Sequence, residues 1–232
     1  MRALITGATS GIGLKLAHRL APTHELLLTG RRPADEVSAL LPVPSAYAVA
    51  DQSDPESVVA SIGDKMTKLG WDRLDLAVLN AGAGSVGDPV TETTEAARLV
   101  LDTNASTPIR LAHFLFPALT AAAGKLVLIG SVAHRGAPNF ATYAASKAAL
   151  HGFGRALEQE WRGRVSVIVI HPGPTASGMH EKAGYSAGKA ERLFIPADAM
   201  AAMIADLAKG QGGIFTASYA RYLLRGYWAR RR

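Results

Sequence analysis

The chain has 232 residues, 48% of them hydrophobic and 19% charged, and no cysteine. That balance suits a folded protein with a sizeable core and excludes a mostly disordered chain; the missing cysteine excludes disulfides, thiolate metal sites and a cysteine nucleophile. The formal charge of +6 is concentrated at one end, because residues 221–232 hold five arginines and no acid, and without them the charge is +1, too little for a generalised nucleic-acid-binding face.

Taken in chain order, Met1-Arg2 runs directly into Ala-Leu-Ile-Thr-Gly. That reads as a core strand and its turn, so no signal or transit peptide is expected and the chain is expected in the cytoplasm. No apolar stretch approaches the roughly 20 residues that a membrane-spanning helix needs. Short apolar runs at 3–5, 25–29, 46–50, 74–79, 125–129, 165–170 and 213–216 read as strands. Most lack strict polar alternation, as strands buried on both faces do. Helical spacing lies between them. Residues 11–20 put Ile12, Leu16 and Leu20 on one stripe, and 55–69 follow Asp54 as N-cap with Pro55 at the first helical position. The segments 91–122 and 142–161 are longer and rich in Ala and Leu. This alternation predicts an α/β, Rossmann-type doubly wound parallel sheet of about seven strands, with helices on both faces and one domain over 1–232.

The first strand ends in Thr6-Gly7-Ala8-Thr9-Ser10-Gly11-Ile12-Gly13, a turn that opens a helix. A pyrophosphate meets backbone N–H groups at such a helix N-terminus. Gly7 permits the tight turn, Gly11 lets phosphates approach the backbone, and Gly13 lets the helix pack close to the sheet. Thr9, Ser10 and Ile12 complete the candidate contacts. The second strand ends in Gly30-Arg31-Arg32 with no acid at its tip. A ribose 2′-hydroxyl calls for a carboxylate there, whereas two guanidiniums suit a 2′-phosphate. NADP(H) is therefore favoured over NAD(H); solvated loop arginines are the alternative.

Tyr143 and Lys147 are four residues apart, one turn along a helix face. An ammonium beside a phenol favours the phenolate and is expected to lower the tyrosine pKa from about 10. A group that gives and takes a proton nearer neutral pH is what hydride transfer at a carbonyl requires.

The pattern Thr-Gly-x-x-x-Gly-Ile-Gly, followed by Asn80-Ala81-Gly82, Asn104, Ser131, Tyr143-Ala144-Ala145-Ser146-Lys147 and Pro172-Gly173 in that order, resembles the classical short-chain dehydrogenase/reductase (SDR) family along nearly the whole chain. The resemblance implies a catalytic set. Tyr143 would be the general acid/base, Ser131 would hold the substrate oxygen, Lys147 would also contact the nicotinamide ribose, and Asn104 would hold a relay water behind Lys147. It implies that Asn80, Ala81 and Gly82 line the cofactor, that Asp51 meets the adenine amino group with Gln52 beside it, and that Thr175 and Ser177, after Pro172 and Gly173, meet the nicotinamide amide. A turn acid is the competing reading of Asp51. Ser10 stands where some NADP-preferring members carry a basic residue. Homodimers or homotetramers through the two long helices are likewise implied.

The substrate, a carbonyl or alcohol small molecule, is expected between residues 83–87, 132–140 and 175–194, the last being the expected substrate loop, with His134, Arg135, Phe140, Met179, His180, Tyr185 and Phe194 as candidates. His134 and His180 read as exposed loop residues. The histidines show no metal-ligand spacing, so no catalytic metal is expected. The basic tail, 219–232, puts Tyr219, Leu223 and Tyr227 on one helical face, weakened by Gly226. Packing on a partner subunit is the favoured reading and contact with an anionic membrane the minority one. A non-catalytic NADP(H) sensor and a membrane-surface scaffold are the other functional classes in play.

Overall fold

The seven apolar runs become seven neighbouring strands: the central ones bury both of their faces, and the two edge strands leave Val49 and Ile214 exposed. The computed structural model describes residues 1–84, 86–178 and 188–229. Its strands are β1 (Arg2–Ile5), β2 (Glu25–Gly30), β3 (Ala46–Val49), β4 (Leu76–Leu79), β5 (Lys125–Ile129), β6 (Ser166–Pro172), β7 (Thr175–Ala176), β8 (Ile195–Pro196) and β9 (Gly213–Ala217). Seven form one parallel sheet in the order β3-β2-β1-β4-β5-β6-β9, and β7 pairs with β8 in a second, small sheet. The order reverses between β1 and β4, with Ile5 in register with Leu28 on one side and Val78 on the other. A doubly wound sheet opens its ligand crevice there, beyond the carboxyl ends of the strands.

Alternation is present after all, but between two apolar layers. Leu4, Leu27, Ala77, Leu126, Leu128, Val167 and Val169 face one core. Ala3, Ile5, Leu26, Leu28, Val78, Val127 and Ile168 face the other. The first core is closed by α3 (Pro55–Lys68), α5 (Thr107–Ala121) and α6 (Ala141–Glu160), through Val58, Ile62, Leu111, Leu115, Leu150 and Leu157. The second is closed by α1 (Gly11–Leu20), the short α2 (Ala34–Val37) and α7 (Ala197–Leu207), through Leu16, Val37, Met200 and Ile204. Neither α2 nor α7 was expected. Asp54 caps α3 as its sequence position suggests, accepting the Ser57 N–H at 3.1 Å with Pro55 in the first turn.

The segment expected as one helix over 91–122 starts later and breaks in its middle. Thr93 caps α4 (Thr94–Leu101) by accepting the Ala96 N–H at 3.2 Å. Asp102–Ser106 then winds as a π-helix before α5 resumes. Pro108 explains the break: it lacks the N–H that would bond the Asn104 carbonyl in an uninterrupted α-helix. The last helix, α8 (Tyr219–Ala229), passes through Gly226, where a weakened helix was expected. Among the described residues no helix is long and apolar enough to cross a membrane. The expected substrate loop over 175–194 begins in β7 and ends in a 3-10 turn, Gly188–Leu193, that leads to β8. Met179, His180 and Tyr185 lie outside the described residues, as do Ser85 and Arg230 to Arg232.

Candidate active site

A cleft of about 690 Å³ runs along the carboxyl ends of β1, β2, β4, β5 and β6. The candidate catalytic and cofactor residues line it except Gly13 and Asn104, whereas the substrate candidates His134, Arg135, Phe140 and Phe194 do not.

At the α1 end the wall is backbone. Gly7 sits at φ +65°, and a Cβ there would lie 2.8 Å from Ala81 Cα. A Cβ on Gly13 would lie 2.2 Å from the Gly7 carbonyl oxygen, so α1 approaches the turn closely only because residue 13 has no side chain. No side chain caps α1 and its first turn holds no acid, so its first N–H groups, which lack intrahelical partners, are available to an anion. The Thr6 hydroxyl accepts the N–H groups of Asn80 (3.0 Å) and Ala81 (3.1 Å), and Asn80 Nδ2 donates to the Thr6 carbonyl at 3.0 Å. These bonds lock the β4 end, and Gly82 after it, onto the glycine turn.

Beyond β2, Arg31 is exposed and Arg32 half-buried. Arg32 donates to the Thr9 carbonyl at 3.0 Å, and its own carbonyl accepts the Tyr47 hydroxyl at 2.8 Å. Two cationic groups thus flank the glycine turn. The Asp51 carboxylate accepts the Ser53 N–H (3.0 Å) and hydroxyl (2.8 Å), the geometry of a turn acid, while still facing the cleft. Gln52 is buried against the cleft and its Nε2 has no hydrogen-bond partner. A buried orphan donor of that kind is a place for a ligand acceptor. Backbone N–H groups, arginines and an orphan amide are a donor set that fits a phosphorylated dinucleotide. At the far end Thr175 donates its hydroxyl to the Gly173 carbonyl at 2.8 Å, and Ser177 lies over Gly11, its carbonyl oxygen 3.0 Å from where a Gly11 Cβ would be. Pro172 and Gly173 carry the chain from β6 into this corner.

The wall is buried side chain where β5 meets α6. Tyr143 and Lys147 share a face of α6, with Lys147 Nζ 5.8 Å from the tyrosine ring centre. Lys147 is 2% exposed and donates to the Ile129 carbonyl at 3.0 Å. Burial pulls its pKa down to about 8, so it is an ammonium at pH 7 and neutral well above pH 8. The Ser131 side chain lies close enough to the Tyr143 phenol to act on its titration. The phenol departs from the expected lowering: burial pushes its pKa above the ordinary value, and Ser131 only partly opposes that. Spacing alone foretold the ammonium neighbour and not the loss of solvent around the phenol, which sets the direction here.

Asn104 is fully buried in the π-turn. Its Oδ1 accepts the Ala83 N–H at 2.9 Å, and its Nδ2 donates to the Ala83 carbonyl (2.8 Å) and to Ser146 Oγ (3.0 Å). Ser146 in turn donates to the Tyr143 carbonyl at 2.7 Å. One side chain thus ties the strand end after β4 to the first turn of α6. Thr6 and Ser146 went unassigned in the sequence because nothing in a short hydroxyl signals a long-range partner; Pro108, four residues after Asn104, was the available signal for the π-turn.

His134 departs from its expectation. It is half-buried, and its ring stacks on His171 at 4.0 Å (23° between planes) and on His151 at 4.7 Å (17°). The three imidazoles come from the turn after β5, α6 and β6, and their ligand atoms lie within 4.8 Å of one another. In-plane lone pairs of stacked rings run side by side and do not converge on one ion, so this geometry favours a hydrogen-bonded stack over a metal cage.

Comparison with known proteins agrees with this layout. A family model described as short chain dehydrogenase matches residues 1–187. An 11-beta-hydroxysteroid dehydrogenase 1A of Arabidopsis thaliana is 34% identical over 82% of the chain and 56% of its own length. A monensin polyketide synthase putative ketoacyl reductase of Streptomyces virginiae is 31% identical over 80% of the chain and 75% of its own length. The chain thus spans little more than half of the plant relative. Among solved structures, a short chain dehydrogenase from Burkholderia cenocepacia in complex with NADP superimposes with a TM-score of 0.77 at 26% identity, covering 93% of this chain and 95% of that one. A short-chain dehydrogenase from Sphingobium yanoikuyae in complex with NADPH, at 24% identity and a TM-score of 0.80, covers 98% of this chain and 93% of the other and shares the fold.

Proposed function

The chain belongs to the short chain dehydrogenase family, and from that premise we propose that it is an NADP(H)-dependent oxidoreductase that interconverts a carbonyl and an alcohol, with Tyr143 as general acid and base. The carrying observation is the junction of two walls in one cleft: a backbone cradle with two arginines at one end, and Tyr143, Ser131 and Lys147 at the other.

When bound, the dinucleotide supplies or accepts the hydride. The chain supplies the rest. Ser131 holds the substrate oxygen near Tyr143, and in reduction the Tyr143 hydroxyl delivers its proton to that oxygen. The Lys147 ammonium, held on the Ile129 carbonyl, stabilises the phenolate that remains and meets the ribose hydroxyls. Asn104, whose carbonyl Pro108 has no N–H to pair, holds a relay water for Lys147. Oxidation runs the same proton path backwards. The first turn of α1, Gly7, Gly11, Asn80 to Gly82 and Thr175 hold the dinucleotide; Arg31 and Arg32 take the 2′-phosphate, and Gln52 Nε2 takes an acceptor at the adenine end with Asp51 beside it. Relatives named for hydroxysteroids and ketoacyl chains support a secondary alcohol or ketone on an apolar skeleton as substrate. A homodimer or homotetramer through α5 and α6 belongs to the same reading, supported by exposed Phe114 and by exposed Ala145, Ala148 and Ala149.

The test follows NADPH oxidation against a panel of steroid ketones, β-ketoacyl thioesters and simple aldehydes. The wild type is expected to turn over at least one of them, and Tyr143→Phe to lose about 10²- to 10⁴-fold in kcat, the usual contribution of a positioned acid/base. Turnover indifferent to that substitution refutes the mechanism.

A further inference from the structure

His171 occupies a position that the reaction above does not use, yet it touches the peptide of a residue that the reaction needs. It lies at the end of β6, 1% exposed. Its Nδ1 is 3.2 Å from the Ser131 nitrogen and 3.1 Å from the Ser131 carbonyl oxygen. Its Nε2 is 3.0 Å from His151 Nδ1. His134 Nδ1 is 2.7 Å from the same Ser131 carbonyl. The His171 ring also lies against Gly130, where a Cβ would fall 2.4 Å from Nδ1. Residue 130 is therefore held without a side chain so that the imidazole reaches the next peptide.

One assignment of protons pairs the Ser131 N–H, the Ser131 carbonyl and His171 Nε2, and leaves the 3.1 Å approach of His171 Nδ1 to that carbonyl as a contact between two acceptors. The Ser131 N–H donates to His171 Nδ1, His171 Nε2–H donates to His151 Nδ1, and His134 Nδ1–H donates to the Ser131 carbonyl. The opposite tautomer of His171 would set two N–H groups against each other at Ser131 and leave a backbone donor unpaired.

We propose that His171 is a positioning residue for the Ser131 hydroxyl: its neutral imidazole accepts the Ser131 N–H and, with His134 on the carbonyl, fixes the Ser131 peptide so that its side chain meets Tyr143. This rests on reading Ser131 as the group that holds the substrate oxygen. The surroundings keep the imidazole neutral. Burial lowers the His171 pKa to about 4, with the charges of His134, His151 and Lys147 acting in the same direction and the backbone contact with Ser131 opposing them, and Arg135 and Arg155 likewise lower the pKa of His151.

The experiment uses the full chain and two substitutions. In His171→Asn, the Asn Oδ1 occupies the place of Nδ1 and keeps the acceptor; His171→Ala removes it. Long-range ¹H–¹⁵N spectra are expected to show the Nε2–H tautomer of His171 in the wild type. Ser131 amide exchange is expected to quicken about tenfold or more in His171→Ala and to stay slow in His171→Asn. An Nδ1–H tautomer, or Ser131 exchange untouched by His171→Ala, overturns the proposal, and both readings stand without any turnover assay. In kinetics, His171→Ala is expected to lower kcat about 10- to 100-fold with the NADPH Kd within about threefold of wild type, and His171→Asn to recover most of that loss. Equal losses in the two variants overturn the proposal. A wild type inactive on every carbonyl would instead count against the oxidoreductase reading, and the tautomer and exchange data would then decide the role of His171 alone.

Discussion

The two ends of the cleft are built from different material. Around Gly7, Gly11 and Arg31 the surface is backbone N–H and half-exposed cation, held in place by a hydroxyl-to-backbone lock from Thr6. Around Tyr143 it is buried side chain: Lys147 is almost without solvent, Asn104 wholly so, and each is held by hydrogen bonds to elements distant in sequence. Solvent-facing donors bind an anion reversibly and tune which anion is preferred, whereas dry, fixed groups change the energy of a proton transfer. Substitutions at the first end should therefore shift affinity and cofactor choice, and those at the second should remove rate.

The largest test of that division after Tyr143 is Ser131→Ala. It is expected to lower kcat about 10²- to 10³-fold, as the loss of one donor to a developing oxyanion does, with NADPH binding, measured by fluorescence titration, nearly unchanged; a selective loss of NADPH affinity would break the comparison. At the other end, Arg31→Ala combined with Arg32→Ala should reduce the preference for NADPH over NADH, read as a ratio of kcat/KM values, by about 10- to 100-fold, because charge-assisted bonds to phosphate are worth about 1.5–3 kcal/mol each in sheltered sites and less where solvent screens them. The kcat with NADPH at saturation should hardly move.

The lysine sharpens the contrast through pH. Desolvation lowers its pKa to about 8, so the ammonium is intact at pH 7 and lost as pH rises through 8. Reductive kcat is expected to fall roughly tenfold from pH 7 to pH 9 if only the ammonium form supports proton delivery. Lys147→Arg, which stays charged, should flatten that limb if it folds, a point read from its circular dichroism. The smallest effect belongs to neither end. Asp54→Ala removes the α3 cap and should cost about 1 kcal/mol, seen as a Tm lower by about 2–4 °C with kinetics unchanged.

Much of this was legible in the residues, for reasons that differ by element. The central strands of the main sheet are runs rich in Leu, Val, Ile and Ala that bury both faces, and their pattern survives any detail of packing. The Gly13 position was legible because close helix-to-turn approach demands glycine, and the structure leaves no room for a Cβ there. The Tyr143–Lys147 pair was legible from helix periodicity. What escaped was long-range. The His134–His151–His171 stack joins residues from a turn, a helix and a strand, so no local spacing announces it. Asp102–Ser106 looked like ordinary helix because Pro108 reads as a local blemish until the missing bond to Asn104 is counted. The rise in the Tyr143 pKa depends on burial, which a four-residue spacing does not encode.

The central claim is that Tyr143 moves the proton while other groups hold the dinucleotide. Single-turnover mixing of prebound NADPH with a ketone found in the panel, for wild type and Tyr143→Phe, separates the two most directly. The account predicts an NADPH Kd within about threefold of wild type and a hydride-transfer rate at least about 100-fold slower in the variant. A variant that transfers hydride at close to the wild-type rate would contradict it.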